Sequence, residues 1–122
     1  MDVVYSHAAA ILVEVCFRGV GINARIVDTL LARLKGSLDV AFLDEWILGE
    51  YAKARELFWA LCVGGIAAVR RPEGSWFVKH ATRLAGELNV GCWRDAENIL
   101  ESVLWHSDWG LPHEAFWVAL NS

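Results

Sequence analysis

Residues 57–78, LFWALCVGGIAAVRRPEGSWFV, decide how this chain folds. The first thirteen, residues 57–69, carry no charge. A helical segment that is apolar on every side has to be buried on every side. Thirteen helical residues rise only about 20 Å, short of the roughly 30 Å of a bilayer's hydrocarbon core. The stretch therefore reads as the central helix of a compact domain. Gly64-Gly65 is expected to let a neighbouring backbone approach closely. Arg70-Arg71-Pro72 interrupts the run, and Trp76-Phe77 opens the next apolar segment.

Working outward, the same periodicity yields more helices. Val4, Ala8, Ile11, Leu12 and Val15 form a stripe over 3–18, ended by Gly19-Val20-Gly21. Ile22, Ile26, Leu30 and Leu34 lie four apart over 22–35, widened by Val27 and Leu31. Asn23 is a candidate N-cap that moves the start to Ala24. Gly36-Ser37 is expected to stop this helix, and Asp39 to cap a short one over 39–49. The central helix then spans about 50–69. Pro72 suits the first turn of a helix reaching about 89, with Phe77, Ala81, Leu84 and Leu88 inward. Asn89-Val90-Gly91 is a stop signal. A fifth helix, 93–106, turns Trp93, Ala96, Leu100, Val103 and Leu104 inward, and Pro112 opens a last one to about 120. Apolar alternation never persists, so no strand is expected. The fold class is all-α: one domain over 1–122, five or six helices packed antiparallel around the central one.

Composition excludes several functions. With 56% hydrophobic and 21% charged residues the chain is too apolar to be disordered. A net charge of −4 argues against direct nucleic-acid binding, which needs a positive field. Arg70-Arg71 is its one basic doublet; it is expected to pair with Glu56 or Glu87, or to present a charged knob to a partner. Cys16, Cys62 and Cys92 are too widely spaced for a zinc or redox motif and sit among apolar neighbours, which suits a reducing compartment. Asp2 in place of a basic cluster, and Glu14 within the apolar stretch, argue against a secretory signal. No uncharged segment is long enough to span a membrane. An intracellular protein, cytoplasmic or nuclear, is expected.

Catalytic chemistry finds no pattern. His106, Asp108 and His113 match no helical metal-binding pair, and Gly110 and Pro112 separate the two histidines. His80 borders the Phe77/Leu84 stripe as a boundary residue. Asp44-Glu45 and Glu50 read as a solvated face. Ser75, Ser102 and Ser107 lack a nucleophile elbow, and Gly64-Gly65 lacks the strand and Lys-Ser/Thr of a phosphate loop. No catalytic residue, metal or cofactor is expected. Seven tryptophans stand out instead. Trp105, Trp109 and Trp117 are the leading candidates for an interaction surface, since Trp is enriched at binding hot spots; the alternative is that they seal one end of the bundle.

The order Leu57-Phe58-Trp59, Gly64-Gly65-Ile66-Ala67-Ala68, Arg71-Pro72-Glu73 and Trp76-Phe77-Val78 resembles the C-terminal region of fungal zinc-cluster transcription factors and related fungal regulatory proteins. In that family two aliphatic helices precede a Gly-Gly-Ile-Ala-Ala helix. A Trp-Phe helix, a Trp-led helix, a Leu-Trp pair and a final Trp-bearing helix follow it. Trp93, Leu104-Trp105 and Phe116-Trp117 fall in the corresponding places, so the resemblance covers nearly the whole chain. The family's six-cysteine DNA-reading cluster has no counterpart here. The resemblance implies a non-catalytic regulatory or protein-interaction domain that binds a protein partner or a second copy of itself. One alternative is a small helical enzyme or small-molecule-binding protein with a Trp-lined pocket. A host-directed effector would need export, and a fragment or shortened paralogue of a regulator is a further alternative.

Overall fold

The computed structural model describes residues 3–13, 24–43, 51–68, 71–106 and 113–121. They form six helices: α1 (Val3–Val13), α2 (Ala24–Leu43), α3 (Tyr51–Ala67), α4 (Gly74–Glu87), α5 (Trp93–Val103) and α6 (Glu114–Asn121). There is no strand among the described residues. The all-α expectation holds, and the helix at its centre is the one that residues 57–69 announce.

Every residue of α3 from Leu57 to Ile66 is buried. That helix packs against each of the other five, while α1 also packs on α2 and α4 on α6. An apolar circumference thus finds a neighbour in every direction, which is the arrangement its lack of any polar face demands. Ala8, Ile11 and Leu12 of α1 face this centre, as do Phe77, Ala81 and Leu84 of α4. Ala96 and Leu100 of α5 join them, with Phe116 and Leu120 of α6.

At Gly64-Gly65 the atoms nearest the missing side chains belong to aromatic rings. A Cβ on Gly64 would lie 2.5 Å from Cε1 of Phe77, and one on Gly65 would collide with the ring of Phe116. The two glycines are sockets for two aromatic rings, one from α4 and one from α6. Trp59 is fully buried beside them. Its indole Nε1 donates to the Leu104 carbonyl at 2.7 Å, and its ring stacks on Tyr5 with centroids 5.1 Å apart. One side chain of α3 thereby fastens α1 and the end of α5.

The second helix departs most from the sequence expectation. α2 does not stop at Gly36-Ser37 but runs on to Leu43, so Asp39 lies inside it rather than capping a new helix. Leu38 explains the continuation: it extends the buried stripe Val27, Leu31, Leu34, Leu38. Burying a leucine is worth about 2 kcal/mol, more than the roughly 1 kcal/mol a helical glycine costs. Ser37 contributes too. Its hydroxyl donates to the Arg33 carbonyl at 3.0 Å and accepts Nδ1–H of His7 at 2.8 Å, joining α1 to α2. The stripe is also rotated from the expected one, leaving Ile26 40% exposed and Leu30 half-buried. A Cβ on Gly36 would meet nothing within 4 Å. Gly36→Ala is therefore expected to stabilise the domain by about 0.5–1 kcal/mol, raising the thermal midpoint by a few degrees. Calorimetry checks it, and a lower midpoint would show that α2 is not continuous through this position.

Turns match their signals more closely. α4 begins two residues after Pro72, following backbone bonds from Arg71 to Ala68 and from Gly74 to Arg71. It ends with Asn89 at φ 59°, the left-handed conformation that Asn tolerates better than most residues. There Val90 N–H reaches the Ala85 carbonyl at 2.9 Å, closing the helix end. The Asp95 carboxylate accepts the Gly91 N–H at 3.0 Å and secures the start of α5.

Candidate functional site

Trp93 is the first residue of α5, where the chain re-enters the bundle after the turn at 89–92. Its indole gathers three other rings. His113 stacks on it with centroids 4.1 Å apart and an interplanar angle of 5°. Trp117 of α6 meets it edge-on at 5.8 Å, and Trp105 does so at 6.2 Å. Edge-to-face and stacked contacts at these separations are favourable beyond the area they bury.

The four members differ in access. Trp105 is 8% exposed, and its Nε1 donates a long 3.4 Å bond to Glu97. It is buried in the core, as the end-sealing reading of these tryptophans has it. Trp93, His113 and Trp117 are each half-buried. On α6, Val118 is 67% exposed. Trp109 lies outside the described residues. Two of these members were not legible as surface residues in the sequence. Trp93 reads from the sequence as an inward residue of α5, and His113 as a loop histidine that belongs to no metal-binding pair.

The arginine doublet also resolves differently. Arg70 lies outside the described residues. Arg71 pairs with neither Glu56 nor Glu87; its Nε sits 2.6 Å from the Asp28 carboxylate and one terminal nitrogen donates to the Ala67 carbonyl at 3.0 Å. It is a clamp between α2 and the turn after α3 rather than a projecting knob. An ion pair this exposed adds little stability by itself, but it fixes where the guanidinium stands.

His80 is tilted against Trp76 at 4.5 Å, and Lys35 lies over the same indole at 5.4 Å. Burial, followed by the nearby charges of Lys79 and Arg83, lowers the His80 pKa against the opposing pull of Asp39. Burial pushes the Cys62 thiol far above its usual value, so it stays protonated and unreactive. Ser102 donates to the carbonyl of Ile99 in its own helix. Among the described residues no three His, Cys, Asp or Glu side chains converge as metal ligands. Asp108, Ser107, Asp44, Glu45, Glu50 and Cys16 lie outside them. No helix among them is long and apolar enough to cross a membrane.

One cavity of about 390 Å³ opens between α3, α4 and α6. Gly65, Val78, Phe116 and Ala119 give it apolar walls, with Arg71, Ser75 and Lys79 at the polar side. No tryptophan is among the described residues that line it.

Among the described residues, six helices pack around α3 with an aromatic-rich core and a half-buried aromatic cluster at α5 and α6. No protein-family model, curated protein or solved structure matches the chain.

Proposed function

We propose that this chain is a non-catalytic regulatory or protein-interaction domain, of the kind its resemblance to the C-terminal region of fungal zinc-cluster regulators implies. In this reading its work is to bind another protein. The observation that supports this is the Trp93–His113–Trp117 cluster. Trp93 holds His113 and Trp117 in ring contact, and all three rings are only half-buried. Rigid aromatic rings lose little entropy on binding and dominate interface energetics. The partner surface is helical and apolar, and a second copy of the chain is the first to test.

The experiment is light scattering during size exclusion over a range of concentrations. The wild type is expected to associate as concentration rises. Trp117→Ala and Val118→Asp are each expected to weaken that association about tenfold or more, the size of a 1–2 kcal/mol interface loss. A wild type that stays monomeric at every concentration contradicts self-association. Specific turnover of a small molecule would overturn the non-catalytic reading itself.

A further inference from the structure

The cavity between α3, α4 and α6 lies apart from the tryptophan cluster, and its chemistry is different. We propose that it binds a small amphipathic carboxylate: one anionic group on a short apolar body. Its volume, about 390 Å³, falls within the range of small-molecule sites. Gly65 gives its side-chain space to the Phe116 ring, and that ring also lines the cavity.

The walls select the ligand. Phe116, Val78 and Ala119 give an apolar lining that a purely hydrophilic anion would not use. Both charged residues on the walls are cations, Arg71 and Lys79, and the Ser75 hydroxyl stands with them. The neighbouring carboxylates of Asp28 and Glu73 do not line it. Asp28 instead holds the Arg71 Nε at 2.6 Å, while the Ala67 carbonyl takes one terminal N–H at 3.0 Å. A guanidinium has five N–H donors in a planar fork. These two bonds fix the fork and leave further donors for a carboxylate, which a fork matches in shape. Asp28 offsets the Arg71 charge, so Arg71 supplies direction and the exposed Lys79 supplies net attraction. A cationic ligand is repelled by Lys79, and a neutral one gains no charge attraction from it.

Titration calorimetry on the full chain tests this, with octanoate as the probe, kept below its micellar range, and octanol and octylammonium as comparisons. Octanoate is expected to bind with one-to-one stoichiometry, octanol more weakly and octylammonium not at all. Lys79→Glu, an exposed change that spares the core, is expected to weaken octanoate about fivefold while leaving octanol unchanged. Ala119→Leu, which fills the cavity, is expected to weaken both. The proposal is overturned if octanoate does not bind, if octanol binds as tightly, or if Lys79→Glu has no effect. Light scattering of Lys79→Glu separates this result from the aromatic-surface proposal, because association through Trp117 is expected to persist in that variant.

Discussion

Gly65→Ala is expected to destabilise the domain by about 2 kcal/mol, even though alanine is the better helix former by about 1 kcal/mol. The added methyl group would strike the Phe116 ring, whose Cδ1 lies 2.6 Å from the new Cβ and whose Cε1 lies closer still. Phe116 is fully buried, so the ring must push its neighbours aside or leave its socket. Gly64→Ala is expected to act in the same direction. Three carbons of the Phe77 ring lie 2.5, 2.8 and 2.9 Å from its Cβ position, and Phe77 is equally buried. For a chain of 122 residues a loss of about 2 kcal/mol lowers the thermal midpoint by roughly 8 °C. Calorimetry on both variants checks this. The contrast with Gly36→Ala is part of the prediction: the same substitution should stabilise where the space is open and destabilise where a ring fills it.

Trp59→Ala is expected to cost more, about 3–5 kcal/mol. That is a large share of the 5–15 kcal/mol by which ordinary domains are stable. The indole is fully buried in the centre of α3, stacks on Tyr5 and donates to the Leu104 carbonyl. Removing it empties the largest fully buried side chain and releases α1 and the end of α5 together. Trp59→Phe retains most of the apolar volume but strands the Leu104 carbonyl, so it should cost about 1–3 kcal/mol. Denaturant unfolding followed by far-ultraviolet circular dichroism measures both without relying on the lost tryptophan's emission. Equal losses for Phe and Ala would assign the effect to the hydrogen bond. A loss confined to Ala would assign it to packing.

The centre of this fold was legible because residues 57–69 offer no polar face, and burial on all sides has only one solution. The ends of α4 were legible as well, since Pro72 and Asn89 restrict the backbone locally. Gly36-Ser37 misled because a local propensity of about 1 kcal/mol was outweighed by Leu38, whose burial in the core cannot be seen from α2 alone. Gly64-Gly65 announced a close approach but not its agent: the rings come from Phe77 and Phe116, which α4 and α6 deliver. The site was less legible than the fold. Arg71 finds Asp28 across 43 positions of sequence, a pairing that nearer acids hid. Trp93 becomes the hub of four rings only once α5 and α6 lie side by side. The helical stripe that places it shows which way it faces, and not what meets it there.

The central claim is that α3 organises the domain by seating rings of α4 and α6 in its glycine pair. A double-mutant cycle between Gly65→Ala and Phe116→Leu tests it most directly. If the socket is real, Phe116→Leu relieves the clash. The double variant should then be more stable than the two single losses added together, by 1 kcal/mol or more, a coupling expected of residues in contact. Losses that add within about 0.5 kcal/mol would contradict the account, because sites that simply add do not touch.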